Sequence, residues 1–223
     1  MKNIYSNSNN FDAIVVGSGI SGGWAAKELA EKGLKVALIE RGKNTIHGKD
    51  YLGEGKAPWD LPYHGKIPED TLNNEYFIQQ QNYALNQSTK QFFVSDKENP
   101  YKTQKDKPFS WIRGYQLGGR SLLWYRQSYR WSEMDFAANK IDGYGADWPI
   151  RYKDIAPWYD YVETFAGISG SKEGLTQLPD GKFLPPMEMN CVELEVKKNI
   201  ENKFPGRKMI IGRCAHLTKP TKE

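Results

Sequence analysis

The sequence predicts an α/β fold, and three features near its start carry that prediction: a short β-branched run, a glycine-rich turn opening a helix-forming stretch, and a second apolar run ending on a carboxylate. Phe11 to Val16 reads Phe-Asp-Ala-Ile-Val-Val, the composition of a strand buried on both faces of a parallel sheet. Trp24 to Lys32 is rich in Ala, Leu, Glu and Lys, which favour helix, and Gly33 stands where a left-handed residue ends one. Val36 to Ile39 is a second buried strand, closed by Glu40. Strand, turn, helix and strand fit within about 30 residues, the length of one βαβ unit.

The remaining elements are read in chain order. From Lys43 to Ser110 the sequence is polar, aromatic and punctuated by proline, with a Gln79-Gln80-Gln81-Asn82 centre; a structureless loop of that length is improbable, so short elements are expected there without assigned bounds. A glycine-marked segment, Arg113 to Trp124, comes next. Asp154 as N-cap opens a helix whose Ile155, Trp158, Tyr159, Val162 and Ala166 form a buried face, with Pro157 in the first turn and Gly167 as the stop. Asn190 with Glu193 three residues on resembles a capping box, opening a helix that buries Val192, Val196 and Ile200. Met209 to Ile211 reads as a strand. The expected organisation is a disordered lead-in over residues 1–10, a nucleotide-binding domain over 11–150, and the start of a substrate-binding region over 151–223.

Composition narrows the function classes. The net charge of +4 is the difference between 31 basic and 27 acidic residues, and the lysines are scattered rather than gathered into a stripe, so nucleic-acid binding gains no support. No apolar stretch approaches the roughly 20 residues of a membrane span. The first ten residues lack the apolar core of an export signal, which by sequence points to the cytoplasm. Cys191 and Cys214 are too far apart for a CxxC pair and are read as buried thiols. His47, His64 and His216 share no helix face, so no metal site is expected.

Chemistry enters with Gly17-Ser18-Gly19-Ile20-Ser21-Gly22, a GxGxxG motif placed between a strand and a helix. The first glycine permits the tight turn, the second lets backbone approach a pyrophosphate, and the third keeps helix and strand close. The helix N-terminus then presents free N–H groups and a positive dipole end to the phosphates. Glu40 is the expected acceptor for adenosine ribose hydroxyls and would repel a 2′-phosphate; the alternative is a solvated strand end. Arg41 is either a surface charge or an adenine neighbour. The motif by itself does not separate FAD from NAD, because both present an ADP half to the same fold.

Beyond the motif, Glu40-Arg-Gly, Gln116-Leu-Gly-Gly-Arg-Ser-Leu-Leu-Trp124, Ser128-Tyr-Arg-Trp-Ser132, Asp147-Trp-Pro-Ile150 and Tyr152-Lys-Asp-Ile-Ala-Pro-Trp-Tyr159 resemble the glucose-methanol-choline (GMC) oxidoreductases, in particular bacterial sugar dehydrogenases of the gluconate-dehydrogenase large-subunit kind. The resemblance runs from about Phe11 to the end and covers the N-terminal part of the family's usual length. It implies a Rossmann-like FAD-binding fold of the ββα type with part of an α+β substrate domain, the C-terminal portion missing. The implied activity is FAD-dependent oxidation of an alcohol or sugar, with non-covalent FAD. The resemblance leaves room for an electron-acceptor or export partner subunit, and export with such a partner would place the protein in the periplasm.

The resemblance also places Gly118 and Gly119 along the flavin, with Ser121 able to reach flavin or phosphate polar atoms; a plain glycine turn is the bland alternative. Trp124 stands where the family often has Asn and is assigned to packing. Arg113, Arg120, Arg126 and Arg130 either favour an acidic substrate or the flavin's electron-rich end, or are paired structural arginines. No residue matches the family's C-terminal catalytic histidine, so no catalytic residue is assigned. The competing functions are a non-catalytic nucleotide-binding or interaction fragment and an NAD-dependent dehydrogenase.

Overall fold

A computed structural model describes residues 10–221. The lead-in expected over residues 1–10 falls, apart from Asn10, outside the described residues. The chain divides into two compact units, one through Trp124 and one from Tyr125.

In the first unit, β1 (Ala13–Val16) and β2 (Val36–Ile39) pair in parallel, Ala13 opposite Val36 and Val16 opposite Ile39, with α1 (Ile20–Glu31) as the crossover. The helix starts earlier than its composition suggests, because the motif residues from Ile20 onward form its first turn. It ends as expected, with Gly33 at φ +85°. Val15 faces α1 at Gly22. Ile14 and Val16, on the other face, are 64% and 81% exposed, so β1 is not buried on both faces.

The stretch from Lys43 to Ile112 contains α2 (Glu69–Glu75) and short 3₁₀ turns at Pro58–Asp60, Pro62–Gly65, Gln79–Gln81 and Lys90–Phe92. Its organiser is polar. Gln79 is fully buried; its amide donates to the Asp96 carboxylate (2.8 Å) and to the Trp111 carbonyl (2.9 Å), and its oxygen accepts from the Arg113 N–H (2.9 Å). Asp96 in turn accepts from the N–H groups of Ile78 and Gln79. Ile67, Ala84, Phe92, Phe93 and Val94 form the apolar core around this hub.

The second unit comprises α3 (Glu133–Asp142), α4 (Tyr152–Ala166), β3 (Ile168–Ser169), α5 (Cys191–Lys203) and β4 (Cys214–Ala215), with β3 and β4 antiparallel. The division at Trp124 precedes the boundary expected after Ile150. The reason is that Trp131, Phe136 and Trp148 pack ring against ring, and Arg130 is buried against α4, tying residues 125–150 to that helix.

The structure corrects several expectations. Arg151, not Asp154, is the N-cap of α4; Asp154 sits at N3 and accepts from the Arg151 N–H (2.8 Å). Pro157 therefore lies beyond the first turn. Trp158 and Val162 are exposed, and the buried residue of α4 is Glu163. The capping box of α5 is present, Asn190 accepting from Glu193 N–H and Glu193 from Asn190 N–H, but Val192 and Val196 are exposed. Met209 to Ile211 is not a strand: Lys197 Nζ donates to the Met209 carbonyl, and pairing begins only at Cys214. Cys191, at the start of α5, is exposed, and Cys214 is half-buried. Among the described residues no helix is long and apolar enough to cross a membrane, and no cluster of metal-ligating side chains occurs.

Candidate functional site

The site is built at the C-terminal ends of β1 and β2. Gly17, at φ +93°, donates its N–H to the Ile39 carbonyl (2.7 Å), which fixes the turn to the end of β2. Gly19 is the N-cap of α1 and no side chain caps the helix, so the N–H groups of the first turn, at Ile20, Ser21 and Gly22, are those a helix leaves for an anion. Gly22 is where helix and turn touch. A Cβ there would stand 1.9 Å from the Gly17 carbonyl oxygen.

Glu40 closes the loop from the other side. Its Oε2 accepts from the Ser18 N–H (2.7 Å) and from the Ser18 hydroxyl (2.7 Å), and its Oε1 accepts from the Gly42 N–H (2.7 Å). The Ser18 hydroxyl, the Ser18 N–H and the Gly42 N–H hold the carboxyl down at about 2. The folded value is depressed, so the contribution of this carboxylate to loop closure is complete above its ordinary value of 4.5 and is lost as pH falls toward 2. Glu40 is thus not a solvated strand end.

The second glycine segment comes to the same place, although Gly118 lies 100 residues beyond Ser18 in sequence. Gly118 N–H donates to the Ser18 hydroxyl oxygen (2.9 Å), and a Cβ on Gly119 would lie 3.4 Å from Gly19 Cα. Leu117 N–H donates to the Lys43 carbonyl (2.8 Å), so this segment runs beside the exit of β2. Gly42 makes the crossing possible: a Cβ there would stand 2.4 Å from Gln116 N. Together Val16, Gly17, Ile39, Glu40, Arg41, Gly114, Tyr115, Gln116 and Gly119 line a cavity of about 310 Å³. Arg41 is exposed and lies over the Tyr115 ring, 3.7 Å from its centre, at the edge of this cavity.

Ser121 is turned inward, its hydroxyl donating to the Gly118 carbonyl and closing the 3₁₀ turn Gly119–Leu123. Among the four arginines, Arg113 and Arg130 are buried, and Arg130 is ion-paired. Arg113 donates to the Tyr115 hydroxyl and the Asn99 carbonyl; Arg130 binds Glu163, Asp160 and Tyr152. Arg120 donates to the Ile112 carbonyl, and Arg126 is an exposed residue at φ +64°. Gly42, Tyr115 and Gln116 carried no assigned role in the sequence. Gly42 had a signal, the small residue directly after Glu40-Arg41; Tyr115 had none among thirteen tyrosines.

The arrangement suits the ADP half of a dinucleotide: a glycine cradle, a free helix N-terminus and an ionised carboxylate at the ribose position. Residues 12–48 match the family model described as FAD binding domain. The dinucleotide is FAD. Three curated relatives extend the likeness over most of the chain. Gluconate 2-dehydrogenase flavoprotein of Pantoea cypripedii is 28% identical over 172 residues, 72% of this chain and 26% of the relative. Paromamine 6'-oxidase of Streptomyces fradiae is 26% identical over 167 residues, 74% and 24%. Fructose dehydrogenase large subunit of Gluconobacter japonicus is 24% identical over 183 residues, 78% and 29%. The chain spans about a quarter of the length of these relatives.

Glu40→Gln is expected to weaken FAD binding by about 1.5–3 kcal/mol, the scale of a hydrogen bond to a charged group. The isosteric amide fails in either orientation. Its NH₂ would face the two Ser18 donors one way and the Gly42 N–H the other. Titration of the purified variant with FAD, followed by quenching of flavin fluorescence, checks this; unchanged affinity would remove Glu40 from the cofactor site.

Proposed function

We propose that this chain is the flavin-binding part of a GMC-type oxidoreductase that oxidises the CH–OH group of an alcohol or sugar. The observation that carries the proposal is that Gly17, Glu40 and Gly119 line one cavity while Gly118 N–H bonds the Ser18 hydroxyl beside it, two segments far apart in sequence that the family resemblance assigns to one cofactor. The relatives named for paromamine, fructose and gluconate support a sugar or sugar-acid substrate. One relative is named as a large subunit, which supports a partner subunit.

In this proposal the first-turn N–H groups of α1 hold the pyrophosphate, Glu40 accepts the ribose hydroxyls, and the Gly118-Gly119 backbone approaches the flavin. Bound FAD supplies a hydride acceptor to the alcohol carbon. The protein must supply a base for the hydroxyl proton. Glu40 is unsuited, since its carboxyl is held near 2 and both its oxygens already accept hydrogen bonds from the protein. No residue is assigned that role, and the 223-residue chain alone is expected not to turn over sugars.

The test is spectroscopic. After incubation with FAD and desalting, the chain should retain absorption at about 450 nm, whereas NAD should not be retained. Sugars and sugar acids should perturb the bound flavin spectrum more than long-chain or aryl alcohols; the opposite preference would overturn the substrate class. The flavin should be held non-covalently, because Leu122 and Leu123 in the glycine turn carry no nucleophile. Acid precipitation should leave the yellow colour in the supernatant, and colour in the pellet would refute this.

A further inference from the structure

The single hydrogen of the Ser18 hydroxyl is committed inside the protein. The hydroxyl donates to Glu40 Oε2 (2.7 Å) and accepts from Gly118 N–H (2.9 Å), so it has no hydrogen left for a phosphate. We infer that Ser18 is a positioning residue, pinning the Gly118-Gly119 turn against the glycine loop so that its backbone stands where the flavin side of the cofactor needs it; this rests on the cofactor assignment above.

The physical case is a chain of three groups: Gly118 N–H to Ser18 hydroxyl to Glu40 carboxylate. The ionised carboxylate polarises the hydroxyl, which makes its oxygen a stronger acceptor for Gly118 than a neutral serine would be. The Gly118 N–H is spent on this bond between segments, whereas the neighbouring Gly119 N–H is used locally, on the Gln116 carbonyl (2.8 Å). Gly118 is at φ +85° and Gly119 at φ +54°, a left-handed pair that the intrinsic preferences of the chain do not enforce. The turn also lies directly on the glycine loop, with the Cβ position of Gly119 at 3.4 Å from Gly19 Cα. Loss of the pin would let the turn lift from Gly19 while Ser18 N–H and Gly42 N–H still hold Glu40.

The consequence is asymmetric between the two ends of the cofactor. ADP needs the helix N-terminus and Glu40; FAD needs those and the Gly118-Gly119 backbone. Ser18→Ala is therefore expected to weaken FAD binding about ten-fold, the worth of one charge-assisted bond, and ADP binding by less than about three-fold. Ser18→Thr, which keeps the hydroxyl, should restore most of the FAD affinity.

The experiment is hydrogen exchange and titration on the whole chain. Without any cofactor, Ser18→Ala should speed exchange at the Gly118 amide and its turn while exchange in β1 and β2 is unchanged. Unaltered exchange at Gly118 would overturn the pin. Faster exchange with FAD and ADP affinities falling equally, or neither falling, would overturn its role in placing the turn for the flavin. A wild-type chain that takes up neither FAD nor ADP would refute the cofactor assignment instead, and with it that role, leaving the exchange measurement to decide on the pin.

Discussion

Replacing Arg130 with Met is expected to destabilise the second unit by about 3–5 kcal/mol, the cost of removing one partner from a buried ion pair. Arg130 is 5% exposed and Glu163 6%, and the guanidinium binds both carboxylate oxygens of Glu163 (2.7 and 2.5 Å), Asp160 (2.5 Å) and the Tyr152 hydroxyl (3.0 Å). Burial alone would lower the arginine's pKa, but the bonds to Glu163, Asp160 and Tyr152 raise it and keep it charged. Its hydrogen bond, and then its charge, hold Asp160 below the usual carboxylate range. Without it, Glu163 keeps only the Lys182 N–H (3.0 Å) among these bonds, in a place where Gly181 is pressed so close that a Cβ would stand 2.2 Å from Oε2. Adding Glu163→Gln should recover part of the loss, since a neutral amide can be left with fewer partners than a charge. Urea unfolding of both variants checks this: the midpoint should drop for Arg130→Met and rise again in the double variant. Equal midpoints for wild type and Arg130→Met would mean that the network contributes nothing to stability.

The site was more legible in the sequence than most of the fold around it, and the reason lies in the range of the signals. The strand, glycine turn, helix and strand of residues 13–39 are written in local preferences, although α1 begins at Ile20, ahead of its helix-forming stretch. The polar hub of the next stretch is not local: Gln79 reaches Asp96, Trp111 and Arg113, and nothing in a Gln/Asn-rich run says which amide is buried. Helix faces failed for a related reason. Spacing shows that Trp158 and Val162 share a side of α4 but not whether anything covers that side, and a buried Glu163 paired with Arg130 outranks them. The role of Ser18 was hidden in a different way. It occupies a variable position of the glycine motif, and only the approach of Gly118 shows what its hydroxyl does.

Gly22→Ala and Gly23→Ala, one residue apart in the same helical turn, are expected to act in opposite directions. At Gly22 an added Cβ would stand 1.9 Å from the Gly17 carbonyl oxygen, 3.0 Å from its carbon and 3.5 Å from Val15 Cγ1. Backbone cannot rotate away as a flexible side chain would, so α1 must move off the turn by about 1 Å, a displacement that can cost about 10²-fold in a positioned site. Overpacking of this kind also costs about 1–3 kcal/mol in stability. The first-turn N–H groups would then point past the pyrophosphate. At Gly23 the nearest atom to an added Cβ is the Ser18 carbonyl oxygen at 3.8 Å, an ordinary contact, and the residue lies within α1. Alanine there restricts the unfolded chain and should stabilise by about 0.4–1 kcal/mol with FAD affinity unchanged. Thermal melts and FAD titrations on the two variants decide the matter. If both lowered FAD affinity alike, general sensitivity of the turn would be the cause; only a loss confined to Gly22→Ala shows that the close approach of α1 to Gly17 builds the site.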